Sequence, residues 1–129
     1  MEMIEIHIES DIVRARQAAR SLAESLGFSI LSKTRVATAV SELARNTFTY
    51  GGGGSMKLEK ISDRTRVGVH CIFVDKGPGI EDIVKAMTPG YTTGKGLGFG
   101  LSGSKRLMDD FKIESEVGNG TRIEVIKWK

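Results

Sequence analysis

The chain has 129 residues, 40% hydrophobic and 27% charged, and a net charge of +3, the balance of one ordinary domain over residues 1–129. Its only cysteine, Cys71, excludes an intrachain disulfide and a cysteine-based zinc site. Basic residues alternate with acidic ones, and neither a membrane-length apolar run nor a signal peptide is visible, so we expect a cytoplasmic protein with no nucleic-acid or membrane partner.

The first segment of the chain predicts a strand followed by a helix. Residues 3–8 alternate apolar and polar side chains, which is typical of a strand. Residues 11–27 carry apolar side chains at helical spacing and end in a glycine. Ser10 or Asp11 is the predicted cap of this helix.

A second helix and a hairpin are predicted next. Ser32 is a suitable cap for a helix that runs to about Thr49, where the four glycines at 51–54 end it. Residues 55–61 alternate, and residues 66–75 form a nearly continuous apolar run, as expected for a central strand.

The remaining segments predict two helices and a last hairpin. A short helix is expected at 79–87, a second at 101–110, and two strands at 112–117 and 121–128, joined by the turn "GNG". The resulting order is β α α β β α loop α β β. The fold predicted from this order is an α+β two-layer sandwich, with helices on one face of a mixed, mostly antiparallel sheet.

The segment "SELARN" carries two oxygen-bearing side chains on the second helix. Glu42 and Asn46 are spaced i, i+4, which places their Cβ atoms about 5–6 Å apart. Carboxylate and amide oxygens together suit coordination of Mg²⁺. The alternative role is that the carboxylate is a base beside a Mg²⁺-bound reactant. On spacing alone a solvated polar face is the simpler interpretation, and the sequence leaves both open.

The segment "VDKGPGI" follows the predicted central strand. Asp75 ends the strand, and Gly77 and Gly79 allow a sharp turn that a flat ligand can approach. Asp75 is placed to accept a hydrogen bond from an exocyclic amine. The alternative is a plain strand–turn–helix connection in which Asp75 only caps the helix.

The glycine-rich segment "TTGKGLGFGLSGSK" at 92–105 matches neither common phosphate loop well. The spacing of a P-loop fails at every register, and the dinucleotide pattern at 98–103 does not directly follow a strand. The glycines before a helix suggest backbone amides directed at an anion, and a mobile surface loop is the alternative. Similarly, "GNGT" at 118–121 is first of all a hairpin turn.

The order of these four motifs is more specific than any one of them. An E-x-x-x-N helix, a strand ending in D-x-G-x-G, a glycine-rich loop before a helix and a final G-x-G-T resemble the Bergerat-fold, or GHKL, ATP-binding family. The resemblance covers about residues 3–129. Within that family, "SELARN", "DKGPGI", "GLGFGL", "KRLMDDF" and "GTRIEVIKWK" are most similar to the small bacterial serine/threonine kinases that act as stressosome switch kinases.

The resemblance implies roles for individual residues. Asn46 would ligate Mg²⁺, and Glu42 would be the general base or orient the acceptor hydroxyl. Asp75 would bind the adenine amino group of ATP, helped through a water by Thr121. Arg45 would meet either the γ-phosphate or the partner protein.

The resemblance also implies a glycine-lined approach to the base and a phosphate-covering lid. Gly77 and Gly79 would let the base approach, and Lys95 would reach the phosphates as a point charge. The remaining nucleotide-binding positions that the resemblance implies are Ile80, Thr93, Gly94, Gly96, Leu97, Gly98 and Gly100.

Partners follow from the resemblance as well. It implies an ATP-dependent kinase that phosphorylates STAS-domain proteins, leaves them and activates a phosphatase, as a monomer or weak dimer. Direct binding of a sigma factor, and nucleotide-gated binding without transfer, are the alternatives.

Overall fold

One antiparallel sheet organises the molecule. The computed structural model describes residues 1–88 and 101–129, and its five strands are β1 (Glu2–Ile6), β2 (Gly54–Asp63), β3 (Arg66–Asp75), β4 (Asp110–Glu116) and β5 (Gly120–Trp128). Their order across the sheet is β1-β2-β3-β5-β4, and all four pairings are antiparallel. The last hairpin therefore inserts β5 beside the central strand, which places Thr121 directly opposite Asp75.

Helices cover one face of this sheet. They are α1 (Ser10–Ser25), α2 (Ile30–Thr49), the single turn α3 (Ile83–Ala86) and α4 (Leu101–Leu107). Alternate strand residues point toward the helices and are buried, whereas their neighbours on the other face are mostly polar. The core between the layers includes Ile6, Leu43, Met56, Phe73 and Val125.

Two predicted helix caps were wrong. Ser29, not Ser32, caps α2: its hydroxyl accepts the backbone N–H of Ser32 at 3.1 Å. Neither Ser10 nor Asp11 caps α1, because Asp11 instead accepts backbone N–H groups that precede the helix, those of His7 at 3.0 Å and Ile8 at 3.1 Å.

The other boundaries moved by a few residues. The predicted short helix at 79–87 is confined to α3, and the helix at 101–110 ends at Leu107 because β4 already begins at Asp110. The order of elements, including the helix stop before the four glycines, is as predicted. Within residues 1–88 and 101–129, no helix has both the length and the apolar character needed to cross a membrane.

Candidate nucleotide site

The last turn of α2 and the end of β3 form the walls of one pocket. Asn46 lies in that last turn, where its carbonyl oxygen accepts the backbone N–H groups of Tyr50 and Gly51, each at 3.0 Å. Asp75 ends β3 and Thr121 begins β5 beside it. We call this cavity the α2–sheet pocket; it is lined by Asn46, Thr47, Tyr50, Phe73, Asp75, Ile80, Leu101, Thr121 and Ile123.

Asp75 is a buried hydrogen-bond acceptor in otherwise largely apolar surroundings. Its side chain is among the buried polar groups, and the backbone N–H of Gly77 donates to its Oδ1 at 2.9 Å. Burial raises the pKa of Asp75, while the backbone N–H groups of Gly77 and Thr121 act in the opposite direction. A carboxylate beside apolar walls suits a flat ligand that donates an N–H.

The two glycines of the D-x-G-x-G motif are required by packing against the protein itself. A Cβ on Gly77 would lie 2.7 Å from the Cα of Gly51, at the end of α2. Gly79 has a φ of +77°, and a Cβ there would clash with the carbonyl oxygen of Glu116. These contacts let the loop after β3 lie between α2 and the last hairpin, which fixes the pocket wall.

Two residues that the sequence analysis did not single out hold this loop. The hydroxyl of Tyr50 donates to the carbonyl oxygen of Gly79 at 2.6 Å. The hydroxyl of Ser115, on β4, accepts the backbone N–H of Ile80 at 2.7 Å. Ser115 had a sequence signal: it is polar, yet strand alternation places it on the same face as the apolar Ile113.

Glu42 does not line the α2–sheet pocket. It lies in a surface groove between α1 and α2, which we call the α1–α2 groove and which is lined by Arg16, Gln17, Arg20, Thr34, Ala37, Thr38, Ser41 and Glu42. Glu42 is one helical turn before Asn46, so their Cβ atoms are about 5–6 Å apart. The predicted pair therefore borders two adjacent cavities, with α2 between them.

The remaining predicted positions divide into two groups. Ile80 and Thr121 are buried, and both line the α2–sheet pocket, while Arg45 is exposed on α2. The predicted lid positions lie outside the described residues; they are Thr93, Gly94, Lys95, Gly96, Leu97, Gly98 and Gly100.

The site offers a cation few protein ligands. Among residues 1–88 and 101–129, no three acidic, histidine or cysteine side chains are grouped as a metal site. The side-chain amide of Asn46 is one oxygen ligand that α2 contributes to the lining of the pocket. A site with so few protein ligands fits Mg²⁺ held mainly by triphosphate and water, since Mg²⁺ commonly takes only one or two protein ligands at such sites.

Comparison with known proteins places the chain among nucleotide-binding domains. A family model described as histidine kinase-like ATPase domain matches residues 8–127. The serine/threonine-protein kinase RsbT of Bacillus subtilis (strain 168) is 49% identical over 125 residues, which cover 97% of this chain and 94% of RsbT. The anti-sigma F factor of Clostridium novyi (strain NT) is 36% identical over 117 residues, which cover 84% of this chain and 80% of that protein.

A solved structure has the same fold. The catalytic domain of the histidine kinase ThkA aligns over 100% of this chain and 99% of its own, with a TM-score of 0.57 at 19% identity. At that identity the likeness supports the fold alone. The predicted α+β sandwich with helices on one face is confirmed.

Proposed function

The chain belongs to the histidine kinase-like ATPase domain family, and from that premise we infer that it uses ATP to phosphorylate serine or threonine hydroxyls of a partner protein. The resemblance seen in the four motifs is thereby confirmed at the level of the family. One observation carries the assignment to this chain: the buried acceptor Asp75 and the amide-bearing Asn46 line a single pocket.

We place the adenine base at the α2–sheet pocket, whose free volume of about 10 Å³ must widen to admit it. Asp75 accepts from the exocyclic amine, and Thr121 lies beside it on the neighbouring strand. Phe73, Ile80 and Ile123 supply the apolar surface on which a flat base packs. Asp75 is favoured as the specificity group because it is buried and already oriented by the backbone of Gly77.

Asn46 is the proposed protein ligand to the Mg²⁺ that the phosphates of the nucleotide bind. Bound Mg²⁺–ATP supplies the phosphoryl group and neutralises the charge on it. The side chain of Asn46 donates its amide oxygen as the protein ligand to Mg²⁺, and the C-terminal turn of α2 fixes where that ligand points.

The acceptor hydroxyl enters through the neighbouring α1–α2 groove, one helical turn from Asn46. Glu42 lines the α1–α2 groove, so a hydroxyl that gives its proton to Glu42 reaches it through that groove. Arg16 and Arg20 are exposed on the other wall and suit a partner segment that carries acidic side chains. The acceptor protein thus binds in the α1–α2 groove and the nucleotide in the α2–sheet pocket. Glu42 and Asn46, which serve the two, are one turn apart on α2.

STAS-domain regulatory proteins are the substrates we propose. The motif resemblance supports them, and the relatives RsbT and anti-sigma F factor are named as a serine/threonine-protein kinase and as an anti-sigma factor. Phosphorylation of a STAS partner weakens its complex with the kinase, which is then free to activate a phosphatase. This exchange makes the chain a partner-switching regulator of the bacterial stress response.

Transfer of label tests the proposal directly. The protein is incubated with γ-³²P-labelled ATP, Mg²⁺ and purified STAS-domain proteins encoded near its gene, and labelled serine or threonine is sought after acid hydrolysis. We expect label on the STAS protein with wild type and none with Glu42→Gln. If wild type binds ATP but transfers no label to a STAS protein, kinase activity is contradicted.

Direct sigma-factor binding is a second candidate, because an anti-sigma F factor is 36% identical to the chain. Affinity purification of the tagged protein in the presence of ADP discriminates the two functions. A sigma factor in stoichiometric amount favours anti-sigma action, whereas STAS proteins or a phosphatase favour the switch.

A further inference from the structure

The hydroxyl of Ser115 joins three parts of the candidate nucleotide site. It accepts the backbone N–H of Ile80 at 2.7 Å, on the loop after β3. It lies 3.0 Å from the carbonyl oxygen of Gly120 and 2.8 Å from Oγ1 of Thr121, both at the start of β5. Ser115 and Thr121 face each other across the β4–β5 ladder, so the contact is built into the strand register.

These contacts determine which atom donates each proton. A serine hydroxyl has one proton to donate. The backbone of Ile80 can only donate to it and the carbonyl of Gly120 can only accept from it, so the proton of Ser115 goes to Gly120. The remaining contact must then use the hydroxyl proton of Thr121, which donates to Ser115.

Thr121 consequently presents lone pairs to the α2–sheet pocket, but no proton. Asp75 beside it is a carboxylate and also an acceptor. Two neighbouring acceptors suit one exocyclic N–H₂ group, which has two protons to donate, directly or through one water. A 6-amino purine carries such a group at position 6, whereas a 6-oxo purine places a carbonyl acceptor there, against the two acceptors of the protein.

We propose that Ser115 is a positioning residue that sets the base specificity of the site, by holding Thr121 as an acceptor toward the exocyclic amine. This inference rests on the proposed ATP-binding function. It deepens that function by assigning discrimination between 6-amino and 6-oxo purines to a residue on the edge strand. Ser115 itself does not touch the base in this proposal.

The test compares two nucleotides that differ at position 6. Affinities for ATP and for inosine triphosphate are measured by calorimetry with Mg²⁺, for wild type and for Ser115→Ala, Ser115→Thr, Thr121→Val and the double variant Ser115→Ala/Thr121→Val. We expect wild type to prefer ATP. We expect Ser115→Ala to lower that preference on the order of tenfold, which is the effect of one hydrogen bond. Ser115→Thr keeps a hydroxyl and should retain the preference.

A role of Ser115 in folding alone gives a different pattern. Loss of the bond to Ile80 would weaken both nucleotides equally and leave their ratio unchanged. In the Thr121→Val background, where no hydroxyl remains to be oriented, Ser115→Ala should leave the ratio unchanged. If Ser115→Ala is too unstable to titrate, Ser115→Cys replaces it, because a thiol is a weak donor and acceptor.

Each outcome has a defined meaning. If wild type prefers ATP and Ser115→Ala prefers it equally, this inference is overturned and the proposed function stands. A wild type that binds both nucleotides equally overturns the inference and also the role of Asp75 in base recognition. A wild type that binds neither nucleotide overturns the proposed function itself.

Discussion

The backbone N–H of Gly77 donates to Oδ1 of Asp75 over 2.9 Å, so the loop after β3 folds back onto the carboxylate that ends the strand. Together with the backbone N–H of Thr121, this bond uses part of the acceptor capacity of the carboxylate, and lone pairs remain to accept from a ligand. It also orients the side chain before a nucleotide arrives, which lowers the entropic cost of binding.

Replacing this carboxylate by an amide should impair binding but not folding. We expect Asp75→Asn to weaken ATP binding by about 10- to 100-fold, because an N–H of the amide would meet the donor amine of the base. Calorimetry measures the affinity, and thermal unfolding of the free protein should show little loss of stability. Asp63→Asn, on an exposed aspartate at the β2–β3 turn, is the matched control. Equal ATP affinity in Asp75→Asn and wild type would remove Asp75 from base recognition.

The raised pKa of Asp75 predicts a pH-dependent stability difference. Because burial raises this pKa above its ordinary value of 3.8, the folded chain holds the proton more firmly than the unfolded chain. The contribution of Asp75 to the free energy of unfolding therefore falls as the pH rises from 3.8 through the raised pKa. Asp75→Asn lacks this dependence, so its stability relative to wild type should rise over that window and then level off.

Urea unfolding of both proteins at several pH values measures this difference. Asp11→Asn provides a control of opposite sign, since backbone bonds from His7 and Ile8 and the side chain of Arg14 lower the pKa of Asp11. The stability of that variant relative to wild type should fall as the pH rises. A flat difference for Asp75→Asn would show that its carboxyl group is not desolvated.

Asn46→Ala should affect the metal-dependent part of nucleotide affinity. Asn46 is the proposed protein ligand to Mg²⁺, so we expect its loss to reduce the gain in ATP affinity that Mg²⁺ provides, on the order of tenfold. Titrations with Mg²⁺ and with EDTA separate that gain from binding of the free nucleotide. Thr49→Ala, on an exposed threonine of the same helix, is the control. A gain as large as in wild type would exclude Asn46 as a ligand.

Local periodicity predicted the elements but misplaced the start of α2. Ile30 and Leu31 form its first turn, yet their side chains are 76% and 59% exposed. No apolar stripe therefore marks that turn, and the pattern placed the cap at Ser32 instead of Ser29. The sequence of helices and strands along the chain, by contrast, followed from alternation and turn residues that lie close together in the chain.

Contacts between distant segments explain what the sequence could not show about the site. Tyr50 and Gly79 are 29 residues apart, and Ser115 and Ile80 are 35 apart, so no local pattern links them. The i, i+4 spacing places Glu42 and Asn46 one turn apart on α2. Which cavity each side chain enters depends on where α1 packs against α2, and that is a tertiary property.

The position of Glu42 outside the α2–sheet pocket predicts a separation of binding from transfer. We expect Glu42→Gln to leave ATP affinity within a few fold and to reduce phosphate transfer to the acceptor by at least about 100-fold, the usual worth of a general base. Calorimetry and the label-transfer assay measure the two effects. Glu24→Gln, on an exposed glutamate of α1, should change neither. Retained transfer in Glu42→Gln would place the base elsewhere.

The α1–α2 groove predicts where the acceptor protein is recognised. Arg16 and Arg20 lie in the same groove as Glu42. Removing either guanidinium should therefore weaken binding of the acceptor protein and leave binding of the nucleotide unchanged. We expect Arg16→Ala and Arg20→Ala each to raise the KM for the acceptor protein by about two- to fivefold, as exposed charge contacts are weak. The KM for ATP should remain that of wild type.

Salt and a matched arginine separate groove recognition from general charge. Arg35→Ala removes an exposed arginine of α2 that does not line the groove, and it should leave both KM values unchanged. Because salt screens exposed charges, the KM of wild type for the acceptor should rise with ionic strength, and the double variant Arg16→Ala/Arg20→Ala should rise less. All three changes remove the same charge from neighbouring helices. If Arg16→Ala and Arg20→Ala have the same KM for the acceptor as Arg35→Ala, the groove is excluded as the docking site.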